Sequence, residues 1–316
     1  MNSNPWEIYD LLIDRADKQQ AIEELVIGLT WTLCRADGIG LAMSPGIATR
    51  TLPWSGKIKG MTLHQAGEWL KSWDPYQATV GMAALNASIN FENELAQLAT
   101  PVGSGNLAVF EHFLPMIRDK KVVVVGRYPG LEDLDLNCDL TVLELNPGPD
   151  DLPAQACEYM IPQAEWVFLS ATSLVNKSFP RLAELSKKAN VVLMGPTVPW
   201  LAELTDFGID YIAGVTVQDE AKLQTVVKEG GGVRIFDEAV SYSVLDIAEY
   251  EKRWMETAID DLVTRSEKVR QRLTLPNLPE ERLNELMRQL NRLDTEIGQM
   301  DQCYSQLCAS PSVMHH

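Results

Sequence analysis

The sequence predicts an α/β protein made of a small α+β domain, a doubly wound α/β domain and a C-terminal antiparallel helical hairpin. Three observations support this. Mixed helix and strand patterns fill residues 1–113. Short continuous apolar runs recur over 114–245, as in strands that helices cover on both faces. Heptad-spaced apolar residues dominate 246–316, and a total of 316 residues suits about two average domains with an extension.

The first part is expected to begin with an amphipathic helix from Trp6 to Arg15. The segment Glu24–Arg35 is rich in Val, Ile, Thr and Trp, and the turn formers that follow it predict a hairpin with a partner strand over Gly40–Met43. Two helices come next, with Thr62 and Asp74 as predicted N-caps. The proline after Asp74 fits the first helical position, because its missing N–H costs nothing there.

The middle part contains apolar runs that predict parallel strands. They carry Val, Ile and Leu without alternation, which is typical of strands buried on both faces. Helix-compatible segments such as Phe179–Lys188 and Trp200–Phe207 lie between them, and this succession predicts a doubly wound sheet. The runs are Lys121–Val125, Leu140–Leu145, Trp166–Ser170, Asn190–Met194 and Tyr211–Val215.

The last part is expected to form two helices with a coiled-coil seam. Residues 274–279 (TLPNLP) cannot continue a helix, so the two segments should fold back as an antiparallel hairpin. Two helices bury little surface alone, and we therefore expect this hairpin to pack on the body, bind a partner protein or make the chain a homo-oligomer. The second segment has apolar residues in 3-4 spacing at Leu283, Leu286, Leu290, Leu293, Ile297, Met300, Tyr304 and Leu307.

Acidic residues dominate the charge, with 44 Asp and Glu against 27 Lys and Arg and a formal net charge of −17. A field of this sign repels phosphate backbones and anionic lipids, so we expect neither nucleic acid nor a membrane as a partner. No stretch reaches the length of an apolar membrane span, and the first residues lack a signal-peptide pattern. Five cysteines without a C-x-x-C pair suit reduced thiols. These features predict a cytoplasmic protein.

Few residues are available for a histidine- or cysteine-based site. Cys303 and Cys308 are the only close cysteine pair, and His315 and His316 could join them in a zinc site. A tail or tag remnant without function is the competing interpretation, and both stay open. The sequence contains no G-x-S-x-G, H-E-x-x-H or P-loop motif, so no hydrolytic constellation is predicted.

Ligands of a doubly wound sheet bind beyond the carboxyl ends of its strands. Glu144 lies at such an end, 18 residues after Gly126, where an acid can accept a ribose hydroxyl. The loop after Gly126 lacks the G-x-G-x-x-G pattern, and Pro129 has no N–H to offer, so a bound pyrophosphate is disfavoured. An adenosine-type ligand at Glu144 and a solvated strand-end acid both stay open.

An ordered series of motifs covers about residues 1–245. Asp37–Ala42 (DGIGLA) and Gly81–Ala87 (GMAALNA) come first; the later motifs are Val124–Pro129 (VVGRYP), Glu144–Pro147 (ELNP), Thr172–Lys177 (TSLVNK), Gly195–Pro199 (GPTVP) and Ile212–Gly214 (IAG). Together they resemble the signatures of the putative heavy-metal chelation family. The resemblance implies an enolase-N-terminal-like domain joined to a Rossmann-like domain, and it leaves the hairpin outside.

The resemblance also implies a ligand site in a cleft between these two domains. Two positions depart from the family pattern, since a histidine is common where Arg127 stands and a serine where Thr197 stands. Losing that histidine weakens the case for a soft metal, and an arginine suits an anionic ligand better. The expected ligand-binding residues are Asn86, Gly126, Arg127, Tyr128, Glu144, Thr172, Asn176, Gly195, Pro196 and Thr197.

Three functions fit the sequence. The first is a protein that binds a metal ion or small ligand in the interdomain cleft, including heavy-metal chelation, with a metal ion as the candidate cofactor. The second is a transferase or lyase that uses a nucleoside-type ligand in the Rossmann-like domain. The third is a non-catalytic assembly factor that acts through the hairpin. Sparse acid–base residues favour the first and third over the second.

Overall fold

The computed structural model describes residues 4–276 and 279–308. The chain divides into two compact units, Met1–Asp246 and Ile247–His316. The first unit contains two β-sheets, and the predicted domain boundary near residue 113 falls inside it. Within the described ranges, no helix combines the length and the apolar character needed to span a bilayer.

The small sheet is an antiparallel meander of β1 (Glu24–Ile27), β2 (Trp31–Arg35) and β3 (Ile39–Met43). The sequence predicted one strand over Glu24–Arg35, and this is wrong, because the chain turns at Gly28 and forms two strands. A Cβ on Gly28 would lie 2.5 Å from the carbonyl oxygen of Val227. The Gly28 N–H donates to the Trp31 carbonyl at 3.0 Å and closes the turn, so Gly28 combines a local turn with a close tertiary contact.

Four helices accompany the small sheet: α1 (Glu7–Asp14), α2 (Leu63–Gly67), α3 (Pro75–Ile89) and α4 (Glu94–Leu98). Both predicted N-caps are confirmed. The Thr62 hydroxyl accepts from the Gln65 N–H at 3.1 Å, and the Gln65 side chain accepts from the Thr62 N–H in return. The Asp74 carboxylate accepts from the Gln77 N–H at 2.9 Å.

Helix α3 is enclosed on both sides by backbone. On one side, a Cβ on Gly40 of β3 would lie 2.1 Å from both the Ala83 carbonyl oxygen and the Ala87 nitrogen. On the other, a Cβ on Gly81 would lie 2.3 Å from the Leu70 nitrogen. The glycines allow a closer approach than any side chain would, which explains why the helix is rich in small residues.

The described chain forms a second, eight-stranded sheet in the order β4-β11-β10-β9-β8-β5-β6-β7. The strands from β10 to β7 run parallel, whereas β11 is antiparallel to both β10 and β4. All five predicted strands are confirmed, and the predicted fold class with them. The bounds are β4 (Thr100–Gly103), β5 (Lys121–Val125), β6 (Asp139–Glu144), β7 (Leu152–Pro153), β8 (Trp166–Ser170), β9 (Asn190–Met194), β10 (Tyr211–Val217) and β11 (Val240–Asp246).

Helices connect these strands. They are α5 (Ala108–Ile117), α6 (Cys157–Met160), α7 (Thr172–Val175), α8 (Phe179–Leu185) and α9 (Glu220–Lys228). The helix expected over Trp200–Phe207 is a 3₁₀-helix over Ala202–Phe207. Aromatic side chains pack against the middle of the sheet, with the ring of Phe113 5.5 Å from those of both Trp166 and Phe168. The apolar runs of β5, β8 and β9 are buried in this core, as their composition predicted, whereas β6 is mostly half-buried.

The second unit is a pair of helices, α10 (Ile247–Leu273) and α11 (Glu280–Cys308). Ser266 of α10 donates its hydroxyl proton to Asp294 of α11 at 3.0 Å, and Tyr304 of α11 donates to Glu256 of α10. These two contacts show that the helices run antiparallel, so the predicted hairpin is confirmed. The predicted break between the two helices includes Asn277 and Leu278, which lie outside the described residues.

Candidate functional site

The strand order of the large sheet reverses at β5. From β5 the chain moves to β6 on one side, and it later returns to β8 on the other. Such a switch point opens a crevice beyond the carboxyl ends of the two diverging strands, which is where ligands of open α/β sheets bind. Here the crevice lies between the loop after β5 and the loop after β8.

Three loops converge at this point. Gly126 follows β5 with φ +98°, and a Cβ there would lie 3.2 Å from the Ser170 Cβ at the end of β8. Gly195 follows β9 with φ +114°, and a Cβ there would lie 3.7 Å from the Tyr128 hydroxyl. Both φ values favour glycine. The structure thus brings together Gly126, Tyr128 and Gly195, three of the residues expected from the sequence.

A cluster of hydroxyl groups lies between these loops. The Ser170 and Thr172 hydroxyl oxygens are 2.9 Å apart, and the Tyr128 hydroxyl hydrogen-bonds with Ser170. Burial raises the pKa of Tyr128, so its phenol stays neutral. We call Tyr128, Ser170 and Thr172 the hydroxyl cluster. Sequence analysis missed Ser170, although a polar residue that closes an apolar strand run was the signal.

The Glu144 carboxylate is used by the backbone. It accepts from the Arg127 N–H at 2.7 Å and the Leu145 N–H at 2.7 Å, with the Asn146 N–H at 3.4 Å. Glu144 therefore ties the loop after β5 to the loop after β6. This arrangement supports a structural role for Glu144 and leaves little of the carboxylate for a ribose or a metal.

Arg127 is held in an ion-pair cluster beside Glu144. Its guanidinium lies 2.9 Å from the Asp151 carboxylate and 3.6 Å from that of Glu132, and Asp151 also accepts from the Gly148 N–H at 2.8 Å. The hydrogen bond and charge of Asp151, followed by the charge of Glu132, raise the pKa of Arg127. An anionic ligand would have to displace Asp151 to use this arginine.

The loop after β9 is attached to the first part of the chain by asparagines. The Asn86 amide donates to the carbonyl oxygens of Leu41 at 2.8 Å and Thr197 at 2.9 Å. Asn90 donates to the Val198 carbonyl at 3.1 Å and accepts from the Trp200 N–H at 2.9 Å. Asn93 donates to the Trp200 carbonyl at 2.8 Å. We call Asn86, Asn90 and Asn93 the asparagine ladder.

Pro196 and Thr197 are buried within this attachment, as is Gly195. The Thr197 hydroxyl accepts from the Met43 N–H at 3.0 Å, which connects the same loop to β3. Sequence analysis identified Asn86 but missed Asn90 and Asn93. Their i, i+4, i+7 spacing places them on one side of a helix and its extension, and this was the available signal.

Six buried side-chain polar atoms lack a hydrogen-bond partner among the described residues, and two of them belong to helices that pack against each other beside the switch point. These two atoms are Oδ1 of Asn86, which is fully buried, and Oγ of Ser173, which is 2% exposed. Helix α3, which carries Asn86, packs against α7, which carries Ser173. Buried polar atoms normally have a partner from protein, water or ligand, so we expect a water molecule or a ligand at these two atoms.

Asn176 hydrogen-bonds with Ser178 and not with the hydroxyl cluster. Its side chain is exposed, and its Oδ1 accepts from the N–H of Ser178 at 3.0 Å and the hydroxyl of Ser178 at 2.6 Å. Asn176 therefore stabilises the turn that leads into α8. These two hydrogen bonds satisfy the side-chain carbonyl of Asn176 without a ligand.

Lys177 is a further candidate functional residue. It ends the TSLVNK motif but is not among the ligand-binding residues expected from the sequence. Its φ of +66° is rare for a residue with a side chain, and its ammonium donates to the Val175 carbonyl at 2.8 Å. Partial burial lowers the pKa of Lys177 to about 8. At neutral pH the amine is therefore close to its titration range.

We predict that Lys177 reacts with amine-directed reagents at lower pH than surface lysines. Below pH 8 its ammonium is protonated and unreactive, and above pH 8 the neutral amine predominates. Reductive methylation over a pH series, read by peptide mass spectrometry, should give half-maximal labelling near pH 8. Exposed Lys188 provides the reference peptide. Labelling of Lys177 that follows Lys188 at every pH would contradict the prediction.

The described residues contain no group of three or more His, Cys, Asp and Glu side chains placed to hold a metal ion. Burial raises the pKa of Cys34 to about 12 and also raises the pKa values of Cys138 and Cys157, which disfavours their thiolates. The zinc site considered at Cys303 and Cys308 needs His315 and His316, which lie outside the described residues.

The donor chemistry of the switch point does not suit a heavy metal either. The hydroxyl cluster and the Asn86 amide are neutral oxygen donors, whereas soft metals prefer thiolate and imidazole ligands. The residues present thus do not fit a heavy metal bound directly by side chains. Their hydroxyl and amide groups are donors and acceptors of hydrogen bonds.

An open depression of about 640 Å³ lies on another part of the first unit and contains none of the expected site residues. Gln20 Oε1 is buried there without a partner among the described residues, while its amide donates to Asp37 at 2.5 Å. The depression is lined by Gln20, Ala21, Ile22, Glu23, Arg35, Asp37, Lys59 and Gly60. The mixed charges along its wall indicate no single ligand chemistry.

Comparison with known proteins agrees with the fold and with the motif series. Two family models match the chain, both described as "Putative heavy-metal chelation": DUF4213 over residues 9–89 and DUF364 over residues 108–246. No functionally curated protein matches. Both matched ranges end by residue 246, so the hairpin lies outside them.

Two solved structures of proteins with unknown function are similar to the chain. A DUF364 family protein from Desulfitobacterium hafniense DCB-2 is 31% identical, with a TM-score of 0.68 over 77% of this chain and 98% of the other. A DUF364 family protein from Pyrococcus horikoshii is 21% identical, with a TM-score of 0.63 over 77% of this chain and 99% of the other, and it supports the fold alone. With 31% identity across nearly the whole of a solved member, this chain belongs to the DUF364 family, described as putative heavy-metal chelation.

Proposed function

We propose that the protein binds a small polar ligand at the switch point of the large sheet, against the contact between α3 and α7. The observation that carries this proposal is the pair of buried, unpartnered oxygens, Asn86 Oδ1 and Ser173 Oγ. Leaving a buried polar atom unpaired costs about 1–3 kcal/mol, so two of them on helices that pack against each other support a ligand that binds there.

The chemistry of the site favours a neutral, hydrogen-bonding ligand. Asn86 Oδ1 can only accept a hydrogen bond, whereas the hydroxyl groups of Ser173 and the hydroxyl cluster can donate or accept. The nearby charges are occupied, because Arg127 pairs with Asp151 and Glu144 binds backbone N–H groups. A ligand with hydroxyl or amide groups therefore matches the site better than a free anion or cation.

This proposal also gives a route to the metal chemistry in the family description. A metal ion held by the donor atoms of an organic compound would not need thiolates or imidazoles from the protein. The hydroxyl cluster and Asn86 would recognise the organic part of the complex through hydrogen bonds. We propose heavy-metal chelation for this chain in that form, as the binding of a small metal complex.

The proposed location in the cell is the cytoplasm, as the cysteine pattern predicts. The lack of C-x-x-C pairs supports it. So does the presence of Cys34 as a buried free thiol in β2. A reducing compartment would keep this thiol in the state that the fold requires.

The test is a comparison of native protein with Ser173→Ala. Both are purified without added metal, and the material released on denaturation is analysed by mass spectrometry and elemental analysis. Wild type is expected to release an organic compound, and Ser173→Ala to release at least about fivefold less, the effect of one lost hydrogen bond. The empty variant should be as stable as wild type or more stable, because it removes a buried unpaired hydroxyl.

Thr225→Val is the control, since Thr225 is exposed on α9 and its hydroxyl donates to the Ala221 carbonyl. It should release as much compound as wild type. Equal occupancy in Ser173→Ala and wild type, or wild type that releases nothing, would contradict the proposed site. A stoichiometric metal without any organic compound would indicate direct chelation instead.

A further inference from the structure

The hairpin of the second unit buries only a narrow apolar core. The buried apolar side chains of the core between its helices are Leu262 and Val269 of α10 and Leu286 and Leu293 of α11. Other apolar side chains stay exposed, with Val263 at 37%, Leu283 at 40% and Met287 at 46%. Helices of 27 and 29 residues usually gain their stability from burial in a larger bundle.

Charge is separated along the length of this hairpin. We define the turn half as residues 263–276 and 279–292, and the open half as residues 247–262 and 293–308. The turn half has seven Lys and Arg against four Asp and Glu, a net charge of +3. The open half has eight Asp and Glu against two Lys and Arg, a net charge of −6.

Much of this charge is available at the surface. Within the described part of the hairpin, Lys268 and Arg272 of the turn half form no ion pair, and neither do Asp260, Glu296 and Asp301 of the open half. All five side chains are exposed. The hairpin thus carries a positive end and a negative end along one rod.

A rod with this charge distribution is complementary to itself in one orientation. If two copies lie antiparallel, each positive turn half faces a negative open half, and the same contact occurs twice about a two-fold axis. If they lie parallel, like charges face each other at both ends. Opposite potentials across an interface set orientation and exclude the alternative.

We propose that the hairpin docks antiparallel onto the hairpin of a second copy of this chain and forms a four-helix bundle. The exposed Val263, Leu283 and Met287 supply apolar surface for this contact, and the separated charges fix its direction. The family models end by residue 246, so this interface is an addition to the part of the chain that defines the family. It is independent of the proposed ligand site.

The test uses charge reversal in the full-length chain, with mass measured by light scattering across a concentration series. The turn variant combines Lys268→Glu with Arg272→Glu and changes its half from +3 to −1. The open variant combines Asp260→Lys, Glu296→Lys and Asp301→Lys and changes its half from −6 to 0. Far-UV circular dichroism checks that both variants retain their helices.

Wild type is expected to be a dimer. The dissociation constant should rise at least about tenfold in the turn variant, because its two halves now repel each other in the antiparallel dimer. The dissociation constant of the open variant's dimer should also rise. An equimolar mixture of the two should restore the dimer mass, because the open half of the turn variant still faces a positive turn half.

The control is Lys187→Glu with Lys188→Glu on the first unit, which changes the net charge of the chain by the same amount as the turn variant. It should leave the dimer unchanged. Monomeric wild type would overturn the proposal, as would a dimer that both variants retain. Tighter association of the turn variant would indicate parallel docking and would also overturn it.

Discussion

Replacing Gly40 by alanine is expected to destabilise the first unit by about 3 kcal/mol, at the upper end of the usual cost of overpacking. The new Cβ would lie 2.1 Å from two backbone atoms of α3, the Ala83 oxygen and the Ala87 nitrogen. Neither atom can rotate away as a side chain would, so the helix itself must move. That movement would also strain the contact of Gly81 with Leu70 on the opposite side of α3.

The measurement is urea unfolding followed by tryptophan fluorescence. Seven of the eight tryptophans lie in the first unit, so the signal reports mainly on its unfolding. Gly105→Ala is the matched control, because the nearest heavy atom to a Cβ there is 3.9 Å away. It should stay within about 0.5 kcal/mol of wild type. Equal stability of the two alanine variants would show that α3 is not packed as described.

The second large effect is expected for Asn86→Leu. This change leaves the carbonyl oxygens of Leu41 and Thr197 buried without their donor, at a cost of about 3 kcal/mol. It should also loosen the loop after β9. Amide hydrogen exchange should therefore rise at Trp200 and at Met43, whose N–H groups bind Asn90 and Thr197.

Asn146→Leu provides the control for this substitution. Asn146 is exposed, and the same change there should alter stability by less than about 0.5 kcal/mol. Unchanged exchange at Met43 and Trp200 in Asn86→Leu would show that the loop is held by other contacts. Asn86→Leu also removes one proposed ligand contact, so Ser173→Ala remains the cleaner test of binding.

The strands of the large sheet could be predicted where burial alone decides their composition. β5, β8 and β9 are nearly continuous apolar runs, because helices cover both faces of the sheet. β4 could not be predicted, since its sequence is TPVG and its residues are mostly exposed. It forms a strand because it pairs with β11 at the edge of the sheet, and this pairing is a tertiary contact.

The sequence predicted which strand-end loops meet at the switch point, but not the contacts of their side chains. The carboxyl ends of the strands gave Gly126, Tyr128 and Thr172, since topology places loops there whatever their composition. The sequence could not show that Arg127 is paired with Asp151 or that Glu144 binds backbone N–H groups. Whether a polar group is spare or already used depends on distances across the fold, and these decide the ligand chemistry.

The asparagine ladder has a mechanical consequence. It fixes the backbone between Thr197 and Trp200 to a helix that is itself clamped by two glycine contacts, so we expect the loop after β9 to move with α3 and not as a hinge. The loops after β5 and β6 are instead joined to each other, through Glu144 and the Arg127 cluster, so we expect any movement on ligand binding to occur in these two loops. One side of the candidate site is therefore expected to stay rigid while the other side adjusts to the ligand.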